Sequence, residues 1–283
     1  MSNVRTIVDT LKARPASDGD GVKIKRVPGF NIKQFSPFLM IDELRSDESQ
    51  DYVGGFPAHP HRGIETFSYM IKGHFQHKDS LGNSGELRSG GAQWMASGRG
   101  IIHSEMPMMD EGQLHGFQIW INQRSEDKHK PAQYADFQPE MISSLSLADM
   151  GGAKVLAGSS VISGYLIRSN LEKSGVEVNV IDWSASKGQS MSTSIDEEFN
   201  AMVYVYEGSV AIEGVSVPAG NVVFLSAGDL IKLTANEDTG ALILAGEPID
   251  EPVVHYGPFV MNTNAEIQQA ISDYSNGLFE TYK

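Results

Sequence analysis

The sequence contains no cysteine, so neither a disulfide nor a thiolate metal ligand is available to it. Any metal site in this chain has to be built from imidazoles and carboxylates. Long hydrophobic runs are missing as well, and none is long enough to span a bilayer. The first ten residues, MSNVRTIVDT, lack the apolar segment of a secretory signal. We therefore expect a cytoplasmic protein with no membrane partner.

Positive charge is also scarce in this sequence. Lys and Arg together number 22 against 36 Asp and Glu, which gives a formal net charge of −14. An acidic surface repels phosphate backbones, so we expect no direct binding to nucleic acid. The most basic short segment holds Lys23, Lys25 and Arg26, and we interpret it as the solvated face of a strand.

Glycine is abundant, with 29 residues spaced between short alternating segments. This pattern is typical of short strands joined by tight turns, and it predicts an all-β fold. The segment from Asn264 to Leu278 is an exception, because Ile267 and Ile271 have the spacing of one helical face. We expect a short C-terminal helix there, with Asn264 as its N-cap.

Two stretches of the chain share one order of strands and turns. FSYMIKGHFQHKD and then GGAQWMASGRG in the first half resemble MVYVYEGSVAIEG and then AGNVVFLSAGD in the second. The copies align when Gly73 is placed on Gly208 and Gly91 on Gly220. The repeat indicates an internal duplication.

The boundary between the two copies is expected in the stretch from Pro131 to Gly164, which contains further proline and a glycine pair. The sequence therefore predicts two β domains, residues 1–135 and residues 136–283.

The strongest chemical signal is a pair of short motifs. His59 and His61 are separated by one proline, and His103 and Glu105 are separated by one serine. Residues i and i+2 of a strand point to the same face, so each motif presents two ligands side by side. If the two strands face each other, four ligands converge on one ion. Neutral imidazole and carboxylate suit Fe(II), Mn(II), Ni(II), Cu(II) and Zn(II).

A single His-x-His triplet in a β protein is more often a surface or hydrogen-bonded pair than a set of ligands. The duplication supplies an internal control on that interpretation. The alignment above places Ser194, Asp196, Lys232 and Thr234 at the four corresponding positions of the second copy. A purely structural role would require the same residues in both copies. The difference favours a metal site in the first domain alone.

Other polar residues have plainer interpretations. His74 and His77 are three apart, so on one strand they point to opposite faces and cannot chelate one ion together. The same holds for His115 and Gln118, for which we expect a core or surface role, with a place in the lining of the pocket as the alternative. Arg62 follows the first motif and is interpreted as part of a structural ion pair, with a contact to an anionic oxygen as the alternative.

The arrangement resembles the cupin superfamily, in which an H-x-H pair and a later histidine meet inside a β-barrel. Three stretches are similar to the pirin family in particular: Phe56 to Pro107, which begins FPAHPHRGIETFSY; LHGFQIWIN from Leu114; and EPVVHYGPFVMNT from Glu251. The resemblance implies two cupin barrels in tandem, of the double-stranded β-helix or jelly-roll type. It also implies a single iron, held in the first barrel.

Carried over by motif, the resemblance makes His59, His61, His103 and Glu105 the metal ligands. Fe(II) is then the expected ion, with Mn, Ni, Cu or Zn as alternatives. General cupins instead offer a glutamate four residues after the second histidine, which here is Glu65. The resemblance to pirins gives the ligand role to Glu105 and leaves Glu65 a supporting hydrogen bond. Glu65 as the ligand is the rival assignment.

The resemblance implies an activity as well, the quercetin 2,3-dioxygenase type, which opens a flavonol ring or a related enolic or phenolic substrate with O2. Glu105 is then the candidate general base, and Phe56 is a candidate wall of an apolar pocket. The alternative is an iron-dependent, redox-sensing regulatory protein that binds a protein partner without turnover. A second domain that keeps the scaffold but not the ligands favours this alternative.

Overall fold

The computed structural model describes residues 2–171 and 174–281. Over this part of the chain the structure is almost entirely β. In chain order the first strands are β1 (Ile7–Lys12), β2 (Arg14–Asp18), β3 (Val22–Pro28), β4 (Phe38–Ser46), β5 (Phe56–His61), β6 (Ile64–Lys72), β7 (His74–Asp79), β8 (Ser84–Arg88), β9 (Ala92–Ala96), β10 (Ile101–Pro107), β11 (Leu114–Asn122) and β12 (Gln133–Phe137).

The second half of the chain continues in the same way. Its strands are β13 (Ser143–Leu147), β14 (Gly151–Ala157), β15 (Ser159–Ile162), β16 (Tyr165–Arg168), β17 (Val178–Ala185), β18 (Ser190–Ser194), β19 (Asn200–Glu207), β20 (Ser209–Ile212), β21 (Val215–Pro218), β22 (Asn221–Leu225), β23 (Leu230–Ala235), β24 (Thr239–Gly246), β25 (Val254–Tyr256) and β26 (Phe259–Met261). The helix α1 spans Asn264–Ser275, and 3₁₀ turns cover Lys33–Phe35, Ser49–Asp51, Pro139–Met141 and Leu278–Glu280.

The strands build two antiparallel barrels. In the N-terminal barrel, one sheet has the order β12-β9-β6-β11-β4-β3-β2 and the other has the order β5-β10-β7-β8. In the C-terminal barrel, the corresponding sheets are β1-β22-β19-β24-β17-β14-β13 and β16-β15-β18-β23-β20-β21. Alternation along each strand sends every second side chain into a barrel interior. No helix of the described chain has the length and apolarity needed to cross a membrane.

The compact units differ from the continuous ranges 1–135 and 136–283 that the sequence predicts. The segment through Ala13 belongs with the C-terminal barrel, and so does Ile32–Pro37. The reason is strand pairing, because β1 forms an antiparallel ladder with β22. The chain from Ile249 onward belongs instead with the N-terminal barrel.

The C-terminal helix forms where the sequence predicts it, but its cap lies one residue earlier. The Thr263 hydroxyl accepts a hydrogen bond from the Glu266 amide at 3.2 Å and donates to the Glu266 carboxylate at 2.8 Å. The first of these two hydrogen bonds gives a partner to the Glu266 amide, which has none within the first turn of the helix. Asn264 is the first helical residue, so its prediction as N-cap is wrong. The buried face of the helix packs Ile267 and Ala270 against Phe259.

The strand orders confirm the duplication. β9-β6-β11-β4-β3 corresponds to β22-β19-β24-β17-β14, and β5-β10-β7-β8 corresponds to β18-β23-β20-β21. With Gly73 placed on Gly208, Phe75 matches Val210, and their partners across the ladder, Pro107 and Ala235, match each other. Ile231 then matches His103, and Thr193, which lies opposite Ile231, matches His59, which lies opposite His103. The barrel-facing equivalents of the two motifs are therefore Thr193, Ile195, Ile231 and Leu233.

The sequence alignment therefore names the wrong residues for the second copy. Ser194, Asp196, Lys232 and Thr234 are all exposed, whereas Ile195, Ile231 and Leu233 belong to the buried core. Small differences in loop length shifted the alignment by odd numbers of residues, and each such shift moves a strand residue to the opposite face. The conclusion drawn from that alignment still stands, because the true equivalents are apolar or, at Thr193, a buried hydroxyl bonded to Ser160 at 2.7 Å.

Candidate metal centre

Two neighbouring strands carry the predicted motifs. β5 and β10 are antiparallel, with His103 directly opposite His59 and Ile101 opposite His61. Because β5 is the edge strand of its sheet, Pro57 and Pro60 remove no hydrogen bond that an inner strand would need. The two motifs therefore reach the barrel interior side by side.

The turn after His61 is held tightly. Gly63 has φ of +80°, and a Cβ there would lie 2.0 Å from the Val260 carbonyl oxygen. The buried ammonium of Lys128 donates to the carbonyl oxygens of Gly63 and Val260 at 2.7 and 2.9 Å. Burial lowers the pKa of Lys128 to about 7. These contacts fix the backbone immediately behind His61.

Three imidazoles converge in the N-terminal barrel. One ring nitrogen from each of His59, His61 and His103 lies within 4.8 Å of the others. The ring centroids are 4.8 Å apart for His59 and His61, 4.4 Å for His59 and His103, and 5.0 Å for His61 and His103. This is the spacing of ligands around a single ion, and the convergence that the sequence predicts for the three histidines is present.

The hydrogen bonds of the three rings leave the same nitrogen available on each. Nδ1 of His59 lies 2.8 Å from the Pro57 carbonyl oxygen, and Nδ1 of His61 lies 3.3 Å from that of Pro258. In the described part of the chain, Nε2 of His61 and Nε2 of His103 are buried without a hydrogen-bond partner. Buried polar atoms are rarely left unsatisfied. Two such atoms pointing into one cluster fit a metal ion.

The electrostatics of the cluster keep two of its rings, those of His61 and His103, neutral. Burial, with a smaller repulsion from His59, lowers the pKa of His61 to about 3. Burial and the neighbouring imidazoles lower the pKa of His103 well below its ordinary value. A histidine must be neutral to donate a lone pair to a metal. At neutral pH these two side chains are therefore ready to bind.

Glu105 is buried beside the imidazoles but is held by other partners. Its carboxylate accepts a hydrogen bond from the Ser68 hydroxyl at 3.1 Å and one from the Gln118 amide at 2.6 Å. It is not one of the three side chains whose ligand atoms all lie within 4.8 Å of one another. Its role as fourth ligand or as base stays a prediction.

Glu65 lies on the other face of its strand. Ser68 points toward Glu105, so Glu65, three residues away on β6, points away from the imidazoles. Its carboxylate accepts a hydrogen bond from the Trp94 indole at 2.7 Å. This partner is neither the backbone nor one of the predicted ligands, so the supporting role of Glu65 stays a prediction.

The structure also resolves the two interpretations of Arg62. Its guanidinium donates to the Asp273 carboxylate on α1 at 2.9 Å and to the Arg99 carbonyl oxygen at 2.6 Å. It lies over the Phe279 ring at 4.6 Å. Arg62 forms a structural ion pair, as predicted, and ties the C-terminal helix to the N-terminal barrel.

Sequence reasoning missed the residues that surround the predicted ligands. It assigned Gln118 a core or surface role, yet Gln118 binds Glu105. It treated His77 only as a residue that cannot chelate together with His74, yet His77 is buried and its Nδ1 lies 3.5 Å from Nδ1 of His103. A signal was available, because His77 and Asp79 form a third same-face pair of the i, i+2 kind.

An open cleft of about 720 Å³ leads to the imidazoles. His59 and His61 line it, and Phe56, the predicted wall, does too. Its other apolar walls are Phe30, Met40 and Trp120. Arg26 and Asp18 supply the charged part of the lining, and Arg26 is bonded to Asp42 at 2.8 and 2.6 Å. Pockets for small organic ligands have this size and this mostly apolar character.

Comparison with known proteins agrees with this architecture. The family model "Pirin" matches residues 21–121, and the model "Pirin C-terminal cupin domain" matches residues 180–280. A Vibrio cholerae protein named "putative quercetin 2,3-dioxygenase" is 57% identical over 282 residues, with 100% of both chains covered. A Pseudomonas aeruginosa protein of the same name is 40% identical, covering 98% of this chain and 99% of the relative.

A solved structure extends the likeness to three dimensions. The crystal structure of quercetin 2,3-dioxygenase from Acinetobacter baumannii has a TM-score of 0.89 and 30% identity, covering 98% of this chain and 99% of that chain. The match spans both barrels at nearly full length. With its paired cupin barrels and its cluster of three histidines suited to a single metal ion, the chain belongs to the pirin family.

Proposed function

We propose that this protein is a metal-dependent dioxygenase that opens the ring of quercetin-type flavonols, or of a related enolic or phenolic substrate. The observation that carries the proposal is the convergence of three imidazoles at one end of a cleft with aromatic walls. The names of the two bacterial relatives and of the solved neighbour support it. O2 is the oxidant, and both of its atoms enter the product, so no further reductant is needed.

His59, His61 and His103 would hold the ion, each through Nε2, because their Nδ1 atoms face other partners. Fe(II) is the proposed metal, and Mn, Ni, Cu and Zn also suit imidazole ligands. When bound, such a metal supplies a Lewis-acidic centre with open coordination positions.

The protein's own residues supply orientation and proton transfer. Phe30, Phe56 and Trp120 offer flat apolar faces against which an aromatic substrate can stack. Glu105 is proposed both as a fourth ligand and as the base that takes the proton of the substrate hydroxyl. The hydrogen bonds from Ser68 and Gln118 hold its carboxylate in position.

The test measures two reactants at once. Metal-free protein is loaded with each candidate ion, and the loss of flavonol absorbance is recorded together with O2 uptake. We expect flavonol and O2 to be consumed in equal molar amounts, and we expect His59→Ala to abolish the consumption of both. Protein that binds one ion per chain and consumes neither reactant would refute the dioxygenase assignment.

The C-terminal barrel favours a second candidate function. It repeats the scaffold, but its interior is apolar at the positions of the ligands, so it is available as a docking surface. The alternative is an iron-dependent, redox-sensing regulatory protein that binds a protein partner without turnover. Retention of a partner by the Fe(III) form and not by the Fe(II) form, in protein that does not consume flavonol, would select this alternative.

A further inference from the structure

A chain of three side chains leads away from the candidate metal centre. Nδ1 of His103 lies 3.5 Å from Nδ1 of His77, and Nε2 of His77 lies 3.2 Å from the Asp79 carboxylate. The register of β7 and β10 builds this chain, since Asp79 lies opposite His103 and His77 lies opposite Glu105. The side chain of His77 is 3% exposed and that of Asp79 is 0% exposed.

Asp79, at the far end of this chain, accepts hydrogen bonds and donates none. The Asp79 carboxylate accepts from the Leu81 amide at 2.9 Å, from the Asn83 amide at 3.0 Å and from the Asn83 side chain at 2.8 Å. Burial by itself would raise the pKa of Asp79, but hydrogen bonds from His77 and Asn83 outweigh it and lower that pKa. An ionised carboxylate accepts only, so His77 must carry its proton on Nε2.

The direction of the hydrogen bond between His77 and His103 follows from the position of the proton on His77. A neutral imidazole with its proton on Nε2 has a lone pair on Nδ1. His77 can then accept a hydrogen bond from Nδ1 of His103, which places the proton of His103 on Nδ1. The lone pair of His103 is thereby left on Nε2, the buried atom that faces the other two imidazoles.

The His77 ring is itself fixed in orientation. It stacks on the Tyr134 ring with centroids 4.3 Å apart and an angle of 17° between the planes. With Gly73 placed on Gly208, His77 matches Ile212, which belongs to the apolar core of the C-terminal barrel. The polar chain thus occurs in the barrel that has the imidazole cluster.

We propose that His77 and Asp79 are positioning residues, which fix the tautomer and orientation of His103 so that its Nε2 is presented to the metal. The proposal rests on the metal centre proposed above, but it does not depend on the reaction catalysed there. Outer partners of this kind typically control metal affinity by roughly 10–100-fold.

The experiment compares four variants with the wild type, each stripped of metal and titrated with Co(II) or Zn(II) against a chromophoric chelator. His77→Phe keeps the bulk of the ring but removes the acceptor, and we expect affinity to fall by roughly 10–100-fold. His77→Gln restores an acceptor oxygen and should recover most of the loss. Asp79→Asn can donate to His77 and reverse the direction of the chain, so it should also weaken binding.

The matched control is His115→Phe. His115 is a buried histidine of the same barrel, 3.2 Å from the Glu43 carboxylate, and it lies outside the imidazole cluster. Its replacement should leave metal affinity unchanged. Thermal unfolding of each metal-free variant identifies any that fail to fold, and Asp79→Asn and His77→Gln carry the test if His77→Phe is one of them.

A second measurement separates positioning from a general loss of structure. Nitrogen-proton correlation NMR of the Zn(II) form should show the His103 proton on Nδ1 in the wild type. In metal-free Asp79→Asn it should show a shift of the His103 tautomer toward protonated Nε2. Affinities of His77→Phe and Asp79→Asn within twofold of the wild type would overturn the proposal. A wild type that binds no metal would instead overturn the metal centre, and one that binds metal but leaves flavonol intact would overturn only the dioxygenase.

Discussion

The two barrels have the same strand order, but their interiors differ in polarity. Where one places a polar cluster, the other places a hydrocarbon core. The barrel-facing pairs at equivalent positions are His59 and Thr193, His61 and Ile195, His103 and Ile231, Glu105 and Leu233, Ser68 and Val203, and Gln118 and Ile243.

This difference teaches that the fold does not require the histidines. The C-terminal barrel closes over an apolar interior, which stabilises it by removing hydrocarbon from water. The N-terminal barrel instead buries Nε2 of His61 and Nε2 of His103 without hydrogen-bond partners among the described residues. Burying unsatisfied polar atoms is unfavourable. The stability of the fold therefore does not explain the polar interior, whereas a metal ion bound by the imidazoles would.

The largest expected effect comes from giving the first barrel an aliphatic side chain at the position that Ile231 holds in the second. His103→Leu removes one of three imidazole ligands, so metal content should fall from about one ion per chain to near zero after dialysis. The loss of affinity should exceed the roughly 10–100-fold that outer partners control. The metal-free variant should be at least as stable as the metal-free wild type, because an unpartnered imidazole is gone. Elemental analysis and thermal unfolding measure both.

The reciprocal exchange is the control. Ile231→His places an imidazole in the apolar core without the other ligands, so it should bind no metal and lower the free energy of unfolding by about 2–4 kcal/mol. Metal retained by His103→Leu, or gained by Ile231→His, would break the contrast between the barrels.

The next effect is on turnover. Glu105→Gln keeps the size of the side chain but removes the base, so kcat for flavonol loss should fall by roughly 100- to 10,000-fold. The three imidazoles remain, so some metal should be retained. Stopped-flow absorbance with metal analysis on the same sample measures both. A kcat within threefold of the wild type would remove Glu105 from the chemistry.

A smaller effect is expected from the contacts that hold Glu105. Gln118→Ile copies the C-terminal barrel and deletes the donor 2.6 Å from the carboxylate. Leaving part of a buried carboxylate unsatisfied should lower the free energy of unfolding by about 1–3 kcal/mol. Gln113→Ile is the surface control, because Gln113 bonds Asp47 at an exposed position, and it should change stability by less than about 0.5 kcal/mol. Equal effects of the two variants in urea unfolding would contradict the assigned role of Gln118.

The smallest effect is a dependence of stability on pH. The folded metal-free protein keeps His61 neutral down to a pKa of about 3, whereas an unfolded histidine takes up a proton near pH 6.5. The unfolded chain therefore binds more protons between these values, and the free energy of unfolding falls as the pH is lowered. From pH 6.5 to 5.5 the loss should reach at most about 1.4 kcal/mol for each buried histidine.

His103→Leu should reduce this slope, because the pKa of His103 is also lowered by burial. Urea unfolding of both metal-free proteins at the two pH values measures the difference. A wild type whose stability is flat or rises toward low pH would contradict the neutral state of the cluster.

The sequence located the site but not its surroundings. The i, i+2 motifs needed only strand parity to present His59, His61 and His103 on one face. The spacing of residues within a segment does not determine which strands become neighbours. The pairing of β10 with β7 and the contact of His77 with His103 are therefore seen only in the tertiary structure. Glu65 shows the same limit, since its face was settled by its neighbours Ser68 and Trp94.

The sequence by itself determined the all-β class, the duplication, the C-terminal helix and the three imidazoles of the cluster, because alternation, glycine turns and helical periodicity are properties of short segments. Tertiary structure alone decided which strand joins which barrel, as with β1 and β22, and which residues of the second barrel truly match the ligands. The physical reason is that side chains in a strand alternate with a period of two, so an error of one residue in a loop length exchanges the inner face for the outer one.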